Sequence, residues 1–166
     1  VASQPYYNAM NRMPETEILP ACAHHGIGVV PYSPLARGVL TGKYAPGEKP
    51  GTASRAGRGD RRIMETEFRK ESLVMAQTIK AHAESRGMTA GVFALRWLLN
   101  NDIVTSVLAG PRTMDHWNGY LAALDGDFAD EDEALIDALV VSGHPSTPGY
   151  NDPQYAILGR PVSTGG

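Results

Sequence analysis

The sequence predicts an α/β fold built on a parallel sheet, and three observations carry that prediction. Short apolar runs at residues 27–32 and 104–109, and a truncated one ending at Ser3, read as buried strands. Stretches with helical periodicity separate them. The alternation is βα repetition, which builds a parallel sheet whose chemistry gathers beyond the carboxyl ends of the strands.

Each element follows in order. A helix is expected over Met13–His25, with Pro14 in its first turn and Gly26 as a left-handed stop; Pro20 kinks it or marks a late start. The run from Ile27 to Tyr32 ends in Ser33-Pro34. Residues 37–62 hold six Gly, two Pro and most of the basic cluster, so they read as a long, functional loop. A helix over Thr66–Arg86 spaces Phe68, Met75, Ile79 and Ala83 on one face. Thr89 caps a second, almost wholly apolar helix through Leu99. After the strand Val104–Ala109 and its stop at Gly110-Pro111, Thr113 opens a helix interrupted at Asn118-Gly119 and continuing to Leu124. Asp130 caps the last helix, and 143–166 is expected to be a surface tail behind a body of 1–142.

Composition excludes several classes. With 166 residues, 42% hydrophobic content and a net charge of -3, the chain is not disordered. No apolar stretch approaches the ~18 residues of a membrane span, and no signal peptide is visible. The single Cys22 leaves no disulfide framework and fits a reducing, cytoplasmic setting. A pI near 5.9 argues against nucleic acid as a partner.

The charge distribution says more than the total. Residues 43–70 carry eight basic and four acidic side chains, whereas 115–137 carry eight acids and no Lys or Arg. A basic loop in an acidic protein suits a small anionic ligand; it equally suits a solvated loop. Gly38-Val39-Leu40-Thr41-Gly42-Lys43-Tyr44 is not a nucleoside-triphosphate loop, because one residue is missing between the glycines and Tyr44 replaces the magnesium-binding hydroxyl. The five histidines lack metal-ligand spacing, and no nucleophile motif is present. Gly110-Pro111-Arg112-Thr113 lies where a strand feeds a helix. Its amides and Arg112 suit phosphate, or an ordinary N-capping turn.

Tyr32 through Tyr44, read whole, resembles the aldo-keto reductase family, in the branch that includes bacterial reductases and potassium-channel β subunits. Gln4-Pro5-Tyr6-Tyr7-Asn8 is similar to that family's segment after the sixth strand, and Gly110-Pro111-Arg112-Thr113 to the segment after the eighth. Three motifs in register cover nearly the whole chain. The resemblance implies an (α/β)8 TIM barrel, of which 1–142 is the C-terminal portion, and NADP(H) as cofactor.

It also implies roles. Gln4 would hydrogen-bond the nicotinamide carboxamide and Tyr32 would stack on its ring. Ser33, Leu35 and Ala36 would line the pyrophosphate, with Lys43 and Arg55 supplying charge. Gly110, Arg112 and Thr113 would meet the adenosine 2′-phosphate, while His116 and Tyr120 fall where the family contacts phosphate or adenine; the likeness departs at His116 and at Gly119-Tyr120. The family's catalytic Asp, Tyr, Lys and His belong to earlier strands whose motifs this sequence lacks, so no catalytic residue and no metal site is assigned. The expected partners are a small aldehyde or ketone, the remaining half of the barrel and a second copy of the chain. The alternative is a non-catalytic dinucleotide-binding module that docks a partner, as a channel β subunit does.

Overall fold

The computed structural model describes residues 1–157 and Gly159. The α/β expectation holds, with helices dominating a small parallel sheet. Strand β1 (Ala2–Ser3) pairs in parallel with β2 (Gly28–Val29), Ala2 opposite Gly28 and Ser3 opposite Val29. Pairing extends past both strands through a bridge between Tyr6 and Tyr32, with Tyr32 N donating to the Pro5 carbonyl at 3.1 Å. The expected third strand is an extended edge with one bridge, Val29 to Val104. Its amides at Thr105 and Leu108 donate to the Val29 and Pro31 carbonyls, each at 2.9 Å. Thr105 Oγ1 also accepts from Val29 N at 3.1 Å, so a side chain takes the place of a ladder carbonyl and regular pairing stops there.

Around this sheet stand α1 (Ile18–His25), α2 (Arg61–Glu65), α3 (Lys70–Ser85), α4 (Ala90–Leu99), α5 (Met114–Leu121) and α6 (Asp130–Leu139). Short 3-10 turns occupy Met13–Glu15, Ala36–Thr41 and Pro153–Tyr155. Helix α1 starts late, which leaves Pro20 in the first turn, where no intrahelical N–H is required.

Three boundaries depart from the sequence expectation. The helix expected from Thr66 begins at Lys70, because Asp60 caps a separate short helix: its Oδ1 accepts from Ile63 N at 3.1 Å. Helix α5 runs unbroken through Asn118-Gly119 and ends at Leu121 rather than Leu124. Asp130 is the first residue of α6 and Ala129 its cap; Asp132 reaches back to accept from Ala129 N at 2.9 Å. The caps at Thr89 and Thr113 are as expected, each hydroxyl accepting from the amide three residues on, at 3.2 Å.

The core lies where α3 and α4 close on the 36–41 turn and on β2. Val39, Leu40, Ile79, Phe93 and Leu98 are fully buried there, each contributing about 1.5–3 kcal/mol by area removed from water. Phe93 packs edge-on to His82 at 5.5 Å and tilted against Phe128 at 5.3 Å. Cys22 is buried with them.

The segment expected as a surface tail is strapped to the body over much of its described length. Ser146 N donates to the Met10 carbonyl at 2.8 Å, and Ser146 itself is buried. Arg69 donates to Ser146 and Thr147 and lies over the Tyr150 ring at 3.8 Å. Tyr150 OH donates to the Glu65 carbonyl at 3.0 Å. The strap thus crosses α2 and the start of α3, the connection that follows the basic loop.

A basic groove at the carboxyl ends of the strands

The chain beyond β2 turns sharply, and its backbone is unusual. Ser33, Ala36 and Arg37 all have positive φ, at 55°, 45° and 53°. Non-glycine residues in that region cost free energy, and such strain concentrates where a site must be shaped. Gly38 follows at φ 95°, and a Cβ there would stand 3.0 Å from Lys43 Nζ. Glycine thus admits both the turn and the close approach of the lysine.

This corner forms one wall of a groove of about 720 Å³, within the range of small-molecule sites. Ser33, Leu35, Lys43, Arg55, Gly110, Arg112, His116 and Tyr120, proposed from the sequence as ligand contacts, all line it. They come from three separate stretches of chain. Gln4, Tyr32, Ala36 and Thr113 lie outside the lining. Gln4 is exposed beyond β1; Ala36 is buried beneath the turn; Thr113 caps α5; Tyr32 sits beside the groove, facing Tyr6 with ring centroids 5.4 Å apart.

The groove also holds residues that no motif singles out. Arg37 and Arg58 line it with Lys43, Arg55 and Arg112, against one acid, Asp115. The clue to Arg58 was the basic run of 43–70, and the clue to Arg37 was its place just past a strand end. Three of these cations are held. Arg55 pairs with Asp60 at 2.8 Å, Arg58 donates to the Ala53 carbonyl at 2.6 Å, and Arg37 Nε donates to Thr66 Oγ1 at 3.1 Å. Burial, then the charges of Arg55 and Arg62, lowers the pKa of Arg37, as expected where cations crowd. Burial raises the Tyr120 hydroxyl, and burial also raises Tyr32.

Leu35, Val92 and Leu95, which pack together, add apolar surface to the lining. A groove that combines cations with apolar side chains suits an anionic ligand with an apolar part. Among the described residues no cluster of three or more His, Cys, Asp or Glu is placed to hold a metal ion, and no helix is long and apolar enough to cross a membrane.

A further residue near the groove was invisible in the sequence. Glu67 is 2% exposed, accepts a hydrogen bond from Tyr6 OH, and stands 3.9 Å from Arg37 Nε. Burial pushes its carboxyl up to about 7, with Arg69 pulling it down and Asp152 pushing it further up. A glutamate in a charged run such as Glu65-Thr66-Glu67 carries no sequence signal of burial.

A second hollow of about 430 Å³ lies between α1, α4 and α6. Its polar side chains satisfy one another: Tyr7 OH donates to Glu15 at 2.8 Å, Trp97 Nε1 to Glu133 at 3.1 Å, and Arg12 pairs with Glu15 and Asp137.

Comparison with known proteins bears on this geometry. A family model described as "Aldo/keto reductase family" matches residues 1–141. L-glyceraldehyde 3-phosphate reductase of Escherichia coli K12 is 32% identical over 143 residues, covering 84% of this chain and 41% of that protein. A probable voltage-gated potassium channel subunit beta of Arabidopsis thaliana is 36% identical over 111 residues, covering 66% of this chain and 34% of its own length. An NADH-specific methylglyoxal reductase of Escherichia coli K12 is 29% identical over 137 residues, covering 80% and 40%. The chain therefore spans well under half the length of these relatives.

Proposed function

The chain belongs to the aldo/keto reductase family, and from that premise we propose that it forms the cofactor-binding part of an NADP(H)-dependent reductase of aldehyde and ketone carbonyls. The architecture proposed is an (α/β)8 barrel, to which this chain contributes the segments from the sixth strand onward. One observation carries the reading: Ser33, Leu35, Lys43, Arg55, Gly110, Arg112, His116 and Tyr120, scattered along the sequence, line one basic groove at the strand ends.

In this reading the bound nicotinamide supplies hydride to the carbonyl carbon. The chain's own task is to hold and orient. Tyr32, beside the groove and restrained by its bridge to Tyr6, would stack on the nicotinamide ring, and Gln4, just past β1, would hydrogen-bond the carboxamide. Ser33, Leu35 and Ala36 shape the pyrophosphate bend through backbone held at positive φ at Ser33 and Ala36. Lys43, Arg55, Arg37 and Arg58 offset its charge. Arg112, with Gly110 and Thr113, takes the 2′-phosphate, beside His116 and Tyr120. The proton for the carbonyl oxygen comes from an acid outside these residues.

The relative named NADH-specific makes cofactor choice a real question, and the Arg112 end of the groove favours NADP(H). Fluorescence titration with NADPH tests the reading, with saturable binding expected. Turnover of an aldehyde by these 166 residues alone would overturn the claim that the acid lies elsewhere. The likeness to channel β subunits motivates a second reading, a dinucleotide-binding module that docks another protein. Sedimentation separates the two, since a compact monomer that binds NADPH counts against docking through its own edges.

A further inference from the structure

Glu67 is one of the few carboxylates buried among the described residues, and its surroundings link Tyr32, beside the groove, with Arg37 in its lining. On one side Tyr6 OH donates to Oε1, and the Tyr6 ring lies 5.4 Å from Tyr32, tilted by 39°. The backbones of these tyrosines are bridged as well. On the other side Arg37 Nε stands 3.9 Å from the same oxygen and donates to Thr66 Oγ1, one residue before Glu67. Arg37 lines the groove and holds a left-handed backbone at φ 53°.

A buried carboxylate is costly unless it is paired and hydrogen-bonded. An apolar side chain of similar volume would fill the space under Tyr6 without that cost. What an apolar residue lacks is the ability to fix the tyrosine hydroxyl and face the arginine together. The Tyr6–Tyr32 pair is tilted by 39°, and the hydrogen bond at the Tyr6 hydroxyl restrains the far end of that ring. Glu67 holds that far end.

We propose that Glu67 is a positioning residue: through Tyr6 it sets the plane of Tyr32, and through Arg37 it ties that wall to the cations of the groove. The inference rests on the cofactor reading above and adds a specific division of labour. Glu67 and Tyr6 govern the nicotinamide end alone, whereas the adenine end is governed by Arg112 and its neighbours.

Two ligands separate the ends: NADPH, and adenosine 2′,5′-bisphosphate, which lacks the nicotinamide. Tyr6→Phe and Glu67→Leu are expected to raise the NADPH dissociation constant about fivefold, as for loss of an ordinary hydrogen bond. The dissociation constant for the bisphosphate should stay within about twofold, a shift too small to reflect a lost hydrogen bond. Glu67→Gln, whose carbonyl still accepts from the tyrosine, should recover most of the NADPH affinity. A role confined to packing would weaken both ligands alike, and either that result or unchanged NADPH binding in Tyr6→Phe would overturn the proposal. Tyr6→Phe keeps the ring and removes one oxygen, so it decides the matter even if the leucine variant does not fold. A wild-type protein that binds neither ligand would instead overturn the cofactor reading, and this one with it.

Discussion

Arg62 and Asp152 meet through two parallel contacts, Nη1 to Oδ1 at 3.1 Å and Nη2 to Oδ2 at 2.6 Å. They are 90 residues apart in sequence, yet this forked pair pins the C-terminal strap to the helix that follows the basic loop. Against the upward push of burial, the hydrogen bond from Arg62 holds the Asp152 carboxyl below its ordinary value. Arg62→Ala and Asp152→Ala should each lower stability by about 0.5–1 kcal/mol in urea unfolding, since both groups are partly exposed. The double variant should lose no more than either single one. Additive losses would show the pair to be uncoupled.

Arg112 lines the groove and is exposed. Arg112→Ala should weaken NADPH binding about tenfold, as expected for a charge-assisted contact to phosphate, and leave NADH little changed. Parallel titrations with the two cofactors measure this. Equal loss for both would remove the 2′-phosphate assignment.

Glu67 makes stability depend on pH in an unusual direction. Its carboxyl is raised from 4.5 to about 7, so the folded state binds the proton more tightly than the unfolded chain. Its contribution is complete below pH 4.5 and is lost as pH rises through 7. By linkage the wild type should lose roughly 3 kcal/mol over that interval relative to Glu67→Gln. Unfolding both proteins in urea at pH 5 and pH 8 reads the difference, and parallel profiles would count against a buried, proton-holding Glu67.

Gly57 sits inside the basic loop, where an added Cβ would collide with the Gly51 carbonyl and stand 3.0 Å from the Pro50 oxygen. Gly57→Ala should therefore displace the 51–58 turn that presents Arg55 and Arg58. NADPH affinity should fall by roughly threefold or more, while the unfolding midpoint moves little because the turn is largely exposed. A large drop in midpoint with unchanged affinity would separate this loop from the site.

Phe93 is fully buried between His82 and Phe128. Phe93→Ala should cost about 3–5 kcal/mol, measured by thermal or urea unfolding.

Much of this was legible in the sequence for identifiable reasons. Thr89 and Thr113 announce their helices because a capping hydroxyl acts locally, and the apolar faces of α3 and α4 follow from periodicity. Part of the groove was legible because Tyr32–Tyr44 and Gly110–Thr113 are compact motifs, whereas Val92 and Leu95 read only as the apolar face of a helix. The helix boundary at 61–70 was not, since Asp60 and Thr66 compete with an otherwise continuous pattern. Nor was the strap, whose Gly- and Pro-rich composition signals surface while its hold depends on Arg62 and Arg69, some 80 residues earlier. Glu67 escaped for a related reason: its burial depends on Tyr6 and Arg37, which approach only after the chain has folded.

The left-handed backbone at Ala36 separates two properties that usually move together. Alanine at φ 45° is held there by its surroundings, and glycine would adopt the same angles at a cost lower by about 1 kcal/mol. Ala36→Gly would then relax the corner, with the larger freedom of the unfolded glycine chain opposing the gain. The net change in melting temperature is thus small, whereas the rigidity of the turn falls. Ala36→Gly would therefore vary the stiffness of this corner at nearly constant thermal tolerance, which makes position 36 a tuning point for redesign.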